Sequence, residues 1–342
     1  MTAKASIKDI AKQAGVSIAT VSRTLSNPDI VSERTRTKVM KAVQQCDYHP
    51  NKMGSNLRTK RTGNLVAIIP DITNPFNANL IKAIETTAQQ HGYSVLLGDT
   101  QNDQQRIDFY ASMVDTRQVD GIILFSASLP NALRNKLDSA QFPPLVNSCE
   151  DCQIDSIHKV MINNHSAAVI AVEHLIALGH QHIACITGPV TTPSSVARLA
   201  GFKQALTTAN IQINAGFIRL GNYELQSGLL AAEQLLALPQ PPSAIFCFND
   251  EMAIGAMSSI KAHGLTIPEQ ISVIGFDDIR FAPYTSPALT TIRQPVELIG
   301  QHCTEMLISI INQHPVKPAY IELPVELIIR ASTAIAPLDV KK

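Results

Sequence analysis

A guanidinium and a row of small polar groups stand close together near the N-terminus, in IKDIAKQAGVSIATVSRTLSN: Ser17, Thr20, Ser22, Arg23 and Asn27. Hydroxyl and amide groups at this spacing can bond phosphate oxygens, which fixes orientation on a duplex without reading its sequence. Arg23 can do more, because its planar fork matches the O6 and N7 acceptors of guanine together; a phosphate clamp is its alternative role. Charge points the same way. From Met1 to Arg61 there are 12 Lys and Arg against 4 Asp and Glu, and over the remainder 16 against 24. The formal net charge of zero is therefore a basic arm of +8 cancelled by a body of −8, and a small basic unit is suited to approach DNA.

Such side chains need a rigid carrier. Residues 7–13 and 18–25 have the spacing of two amphipathic helices broken by Ala14-Gly15-Val16, with Ser17 placed as the N-cap of the second. Capping and a phosphate contact are compatible roles for Ser17. Residues 32–46 predict a third helix, whose Val39, Ala42 and Val43 can cover Ile10, Ala11, Val16, Val21 and Leu25. The stretch YHPNKMGSNLRTKRTGN, residues 48–64, is rich in basic residues and poor in apolar ones, so it predicts a linker and a domain boundary.

Beyond it, short aliphatic blocks alternate with helical patterns. Strands are predicted at 65–70, 93–98, 121–125, 145–148, 159–162, 182–187, 217–220, 244–248 and 272–276. Helices are predicted near 77–91, 104–116, 166–178, 198–209, 226–238 and 251–263. That rhythm indicates parallel sheets with right-handed crossovers, and so many strands are better accommodated in two doubly wound lobes than in one sheet. Segments near 289–294 and 320–330 are expected to cross between lobes. Ligands collect at the carboxyl ends of strands in such folds. Asp277, directly after SVIGF, should project there and accept hydrogen bonds from neighbouring hydroxyls of a sugar. Asn249 and Asp250, ending IFCFND, should brace the cleft floor, and Asp278 should be a loop or interface residue.

Several function classes lack support. No apolar run reaches the roughly 18 to 20 residues of a membrane span, and MTAKASIKDI does not read as an export signal, so a cytoplasmic protein without membrane contact is expected. The 6 cysteines follow no framework and should be reduced. Cys149 and Cys152 form CEDC without the second pair that a structural zinc site needs, and His180 and His182 are expected at a turn and on the surface. The cleft candidates contain no nucleophile–base pair and nothing in the chain matches GxxxxGK[ST], so neither catalytic residues, metal nor cofactor are expected.

IKDIAKQAGVSIATVSRTLSNPDIVSERTRTKV, RLAGFKQAL, NDEMAIGAM, PEQISVIGFDD, PALTTIRQP and LIIRAST together resemble the lactose/galactose repressor family, from near residue 5 to near 335. The resemblance implies a helix-turn-helix DNA-binding head (residues 1–49), a hinge helix and linker (50–62) and a periplasmic-binding-protein-like α/β body. The body would comprise an N-terminal effector lobe (63–163 plus 292–321) and a C-terminal effector lobe (164–291 plus 322–342). It implies a homodimer on a near-palindromic double-stranded DNA operator. Ile18 and Ala19 take positions that carry base specificity in the family, and as apolar residues they could only touch a thymine methyl or exclude other groups. Leu57 takes the place of the hinge leucine that wedges into the minor groove, with Gly54 weakening that helix by about 1 kcal/mol relative to Ala.

In the cleft, Arg198 matches the family's ligand-binding arginine and opens RLAGFKQAL; a salt bridge to Asp277 or Asp250 is its alternative. Tyr223 takes the place of a ring stacked on the ligand, Phe76 contributes from the first lobe, and Thr192 and Ser194 offer hydroxyls from the loop before Arg198. IIPDITNPF, ALPQPPSAIFC and PVELIIRAST most resemble the branch that answers to cytidine, governs nucleoside uptake and catabolism, and acts beside the cyclic-AMP receptor protein. A purine base or a sugar as effector, and a sugar- or nucleoside-binding receptor without DNA function, are the alternatives.

Overall fold

Ser6 opens the first helix, Ile7–Ala14, with a reciprocal cap: its hydroxyl accepts from the Asp9 N–H while the Asp9 carboxylate accepts from the Ser6 N–H at 2.8 Å. Gly15, at φ +65°, ends it in a left-handed conformation that suits glycine. The second helix, Ile18–Ser26, is capped by Ser17, which accepts from the Thr20 N–H at 3.1 Å. After a 3-10 turn at Pro28–Ile30 comes the third helix, Glu33–Gln45. Ile10, Val21 and Val39 are fully buried among the three, with Ala11 and Ala42, and Val16, Leu25 and Val43 pack against them. The core anticipated for this unit is the one that forms.

The computed structural model describes residues 5–48, 61–137 and 139–337. Its chain contacts divide into two units, Met1–Arg61 and Thr62–Lys342. The hinge expected at 50–62, with Leu57 and Gly54, lies almost wholly outside the described residues.

The larger unit carries two six-stranded sheets. The first runs β2-β1-β3-β4-β5-β11, with β1 Asn64–Ile69, β2 Ser94–Asp99, β3 Gly121–Leu124, β4 Leu145–Ser148, β5 His158–Ile162 and β11 Tyr320–Leu323, every pairing parallel. The second runs β7-β6-β8-β9-β10-β12, with β6 Ile183–Thr187, β7 Ile218–Leu220, β8 Ala244–Cys247, β9 Ser272–Asp277, β10 Thr290–Arg293 and β12 Glu326–Ile328. Only its β10–β12 pair is antiparallel. β3, β4, β6, β8 and β9 are buried along their whole length, as strands covered by helices on both faces must be.

Both late segments carry a crossing between the lobes, though no single strand bridges them. β10 and β12 belong wholly to the second sheet and β11 wholly to the first, so the chain crosses in the short joints at residue 163, at 294–295 and at 324–325. Helix Val296–Ile311, not anticipated from the sequence, packs on helix Pro75–Gln90 and on β3, β4 and β5. Helix Pro193–Thr208 starts well before Arg198, since Pro193 occupies its first turn, where the missing N–H does no harm. His180 is not a surface residue. It is 1% exposed, with Nδ1 at 2.9 Å from Ser243 Oγ and Nε2 at 3.1 Å from both Ser272 Oγ and the Ala334 carbonyl, so it ties the C-terminal segment to the second lobe.

Candidate functional site

In the small unit, helix Ile18–Ser26 divides its residues by face. Val21 and Thr24 point inward, 0% and 2% exposed, and one rotation of the helix leaves Ile18, Ala19 and Arg23 outward. Ile18 is 44% exposed, an apolar side chain outside the buried cluster of this unit. Ser17, Ala19, Arg23 and Asn27 are exposed, while Thr20 and Ser22 are half-buried. The Thr20 hydroxyl lies 2.9 Å from that of Ser17, so these two are organised around the helix start. Leu57 falls outside the described residues.

In the large unit, a cavity of about 510 Å³ lies between the lobes at the carboxyl ends of their strands, a volume suited to one small organic molecule. Phe76, Ser194, Arg198, Tyr223 and Asp277 all line it. Thr192 does not: it is the N-cap position of helix Pro193–Thr208, and its N–H closes a turn onto the Pro189 carbonyl. Once Pro193 sets the first helical turn, Ser194 is the hydroxyl delivered to the cavity.

Arg198 is 6% exposed and packs its guanidinium over the Phe276 ring, 3.5 Å from the centroid. Its Nε donates to Asn164 Oδ1 at 2.8 Å, and its Nη1 donates to the Phe248 carbonyl. Among the described residues it forms no salt bridge to Asp277 or Asp250. Two fixed donors hold the fork still, and the other N–H groups of the fork can meet a ligand.

Asp277 is 8% exposed and accepts from Gln294 Nε2 at 2.7 Å. Burial raises its pKa to about 7, against the lowering pull of the Arg198 charge and the Gln294 bond. Its φ of +109° is a backbone state that non-glycine residues rarely adopt, and Cys149 (+64°) and Tyr223 (+72°), which also line the cavity, are left-handed too. Such conformations persist where the surroundings over-determine them, as they tend to do at ligand clamps.

Asp250 supplies that bracing for Asp277. It is fully buried, accepts from the Ile279 N–H at 2.8 Å and from Thr291 Oγ1 at 2.6 Å, and so pins the turn after β9 onto β10. Burial, reinforced by the Asp277 charge, holds its pKa well above the carboxylate range. Asn249 braces Tyr223, donating to its carbonyl at 2.8 Å, and the Tyr223 ring lies so close over Gly188 that a Cβ there would meet Cζ at 2.1 Å. Asp278 turns away from the cavity into ion pairs of 2.7 Å with Arg293 and with Arg330.

Three further cavity residues escaped the sequence reading. Glu150, inside the CEDC segment read as loop thiols, reaches from the first lobe to the second: its carboxylate accepts from the Ser194 N–H at 3.0 Å and from Ser194 Oγ at 2.5 Å. Burial raises its pKa, while the Ser194 bonds and the Arg198 charge lower it. Asn74 makes a second link, donating to Glu251 Oε2 at 3.1 Å. Gln294, in the quoted motif PALTTIRQP, was passed over because its partner Asp277 is 17 residues distant in sequence.

A basic three-helix unit with an outward polar and apolar row, followed by a two-lobed body with a ligand-sized interlobe cavity, narrows the comparison with known proteins. Residues 6–51 match "Bacterial regulatory proteins, lacI family", and residues 172–333 match "Periplasmic binding protein-like domain". The HTH-type transcriptional repressor CytR of Escherichia coli (strain K12) is 40% identical over 333 residues, covering 97% of both chains. This chain belongs to the lacI family of bacterial regulatory proteins. The HTH-type transcriptional repressor PurR of Vibrio campbellii is 34% identical over 326 residues, covering 95% of this chain and 98% of that one. Among solved structures, the lac repressor dimer bound to operator and the anti-inducer ONPF superposes with a TM-score of 0.86 at 30% identity, covering 97% of this chain and 100% of that one.

As a lacI-family member, the chain is a DNA-binding transcription repressor, with the helix-turn-helix head and the two parallel-sheet lobes expected from its sequence. Among the described residues, no helix is long and apolar enough to cross a membrane.

Proposed function

We propose that this repressor binds a near-palindromic operator as a cytoplasmic homodimer and takes a nucleoside, cytidine first among candidates, in the interlobe cleft to control genes of nucleoside uptake and catabolism. The observation that carries the reading is the convergence of Asp277, Arg198 and Tyr223 in one cavity. A carboxylate can accept from two sugar hydroxyls, a guanidinium can donate to ring or carbonyl oxygens, and Tyr223 and Phe76 offer flat faces for a base. The ligand needs only to favour one arrangement of the lobes: a bias of about 1 to 3 kcal/mol changes operator affinity roughly 5- to 150-fold by linkage. The motif resemblance extends the reading to joint action with the cyclic-AMP receptor protein, and no catalytic step is assigned to the cleft.

In the head, Ser17, Thr20, Ser22 and Asn27 are assigned to phosphate oxygens, Arg23 to a guanine edge, Ile18 and Ala19 to apolar base contacts, and Leu57 to the minor groove. The likeness to PurR supports a purine base as the second occupant of the cleft. A thermal-shift series with nucleosides, nucleobases and pentoses separates the readings. A nucleoside should raise Tm more than its base or its pentose alone. A rise with hypoxanthine or guanine and none with cytidine would transfer the assignment to the purine base.

A further inference from the structure

Six carboxylates line the cavity, Asp71, Asp99, Glu150, Glu224, Glu251 and Asp277, and Arg198 is the single cation among its lining residues. The acids oppose one another. Burial raises the pKa of Glu251, and the charges of Asp71 and Glu224 raise it further. The arrangement beside the cavity's cation that would welcome an anion is the start of helix Pro193–Thr208, where Ser194 lines the cavity with Arg198. That position is filled by the protein itself, since both Ser194 donors are held by the Glu150 carboxylate.

Resting on the nucleoside reading above, we infer that Glu150 is a specificity-determining residue: it plugs the anion position at the Ser194 helix start and makes the cleft reject phosphorylated forms of its own ligand. A nucleoside and its 5′-monophosphate share base and sugar, so the groups that recognise those parts cannot separate them. Discrimination must come from what a dianionic phosphate meets. Here it meets a carboxylate already in place on the Ser194 N–H and hydroxyl, in a cavity lined by five other carboxylates and one cation. Like charge in so confined a space is costly, because water screens it poorly. The same carboxylate joins the lobes, so displacing it would also break an interlobe hydrogen-bonded contact. A sensor built this way reports the free nucleoside while ignoring the nucleotides made from it.

The test reads a ratio. Calorimetric titration of the full-length protein with cytidine and with cytidine 5′-monophosphate should show at least 100-fold weaker binding of the phosphate. In Glu150→Gln, which keeps an acceptor for Ser194 without the charge, the ratio should fall at least tenfold. Glu150→Ala, which frees the donors, should gain stabilisation by inorganic phosphate in a thermal-shift experiment, and wild type should show none. Equal affinity of wild type for cytidine and its monophosphate overturns the inference while leaving the nucleoside reading intact. Absence of binding by every nucleoside overturns that reading instead, and the inorganic phosphate comparison then decides the role of Glu150 unaided: equal stabilisation of wild type and Glu150→Ala refutes it.

Discussion

The recognition helix and the cleft recruit functional side chains in opposite ways. Ser17, Ile18, Ala19 and Arg23 come from one helix, lie within a few residues of one another and are exposed, so their identities can change with little consequence for the core built by Ile10, Val21 and Val39. Glu150, Arg198, Tyr223, Asp277 and Gln294 come from loops, a helix and the end of a strand scattered over the large unit, are buried or half-buried, and take partners distant in sequence. One surface is free to diverge in what it reads. The other is constrained, because each charge in it needs a specific partner to be tolerated. Substitutions should therefore act differently in the two places: in the head they should change which DNA is read, and in the cleft they should change affinity, pH response and order together.

Arg198→Ala presses hardest on that contrast. It removes the donor proposed for the ligand and leaves the Asn164 side chain and the Phe248 carbonyl without their partner, and it deletes the charge that offsets Asp277. A loss of about 3 kcal/mol in effector binding, roughly 150-fold, is expected from a buried charged hydrogen-bonding group. Arg198→Lys should recover little, because a point ammonium cannot span the two fixed acceptors. Calorimetry on both variants checks this, and near-normal affinity in Arg198→Lys would show that charge alone matters. Operator binding without effector should persist in both.

Arg23→Ala is the counterpart in the head. If Arg23 reads a guanine, preference for operator over scrambled duplex should fall by about 1 to 3 kcal/mol at fixed salt, with Tm unchanged. Equal losses on the two duplexes would make it a phosphate contact. Ile18→Ala should leave nonspecific affinity nearly intact.

The same difference explains what the sequence discloses. The three-helix core, the Ser17 cap and the alternating strands follow from local spacing, which a single chain displays openly. Asp277 was legible because the end of a strand is a local feature, and Arg198, Tyr223, Ser194 and Phe76 because their flanking motifs resemble known ones. Glu150 and Gln294 were not, since their importance arises only when the other lobe brings Ser194 to Glu150 and the β9–β10 pairing brings Asp277 to Gln294, 44 and 17 residues away in sequence. Thr192 was placed in the cleft because the helix was expected to begin at Arg198 and begins at Pro193, and nothing in TTPSSVAR fixes that start except Pro193 itself.

The pH response follows from Asp277. To accept the proposed ligand hydroxyls with its full charge the carboxylate must be ionised, and with a pKa of about 7 it is mostly protonated below neutrality. Effector affinity should rise as pH increases toward 7 and flatten above it, by up to about tenfold per unit on the acid side. Stability runs the other way. The folded pKa exceeds the unfolded value of 3.8, so the folded state holds the extra proton, and the contribution present below pH 4 is lost as pH rises to about 7. Glu150, Glu251 and Asp250 are raised as well and will broaden both curves. Asp277→Asn isolates the effect: it should remove the affinity slope and raise Tm at pH 7.5 relative to wild type. An unaltered slope in that variant would assign the titration to another carboxylate.

Ser17→Ala is the mildest test and concerns the head alone. Ser17 has two separable roles, the cap on the Thr20 N–H and the proposed phosphate contact, and both use the same exposed oxygen. Loss of the cap costs about 1 kcal/mol of helix stability, an amount visible as a lowered melting point of the N-terminal unit and independent of DNA. Loss of a phosphate contact lowers affinity for every duplex and reduces specificity for none. Ser17→Asp keeps a capping oxygen and puts a negative charge at the positive end of the helix, so it should retain or increase stability, while repelling phosphate. A variant with normal Tm and weak binding to all DNA would separate the two roles; normal binding by Ser17→Asp would leave Ser17 as a cap and nothing more.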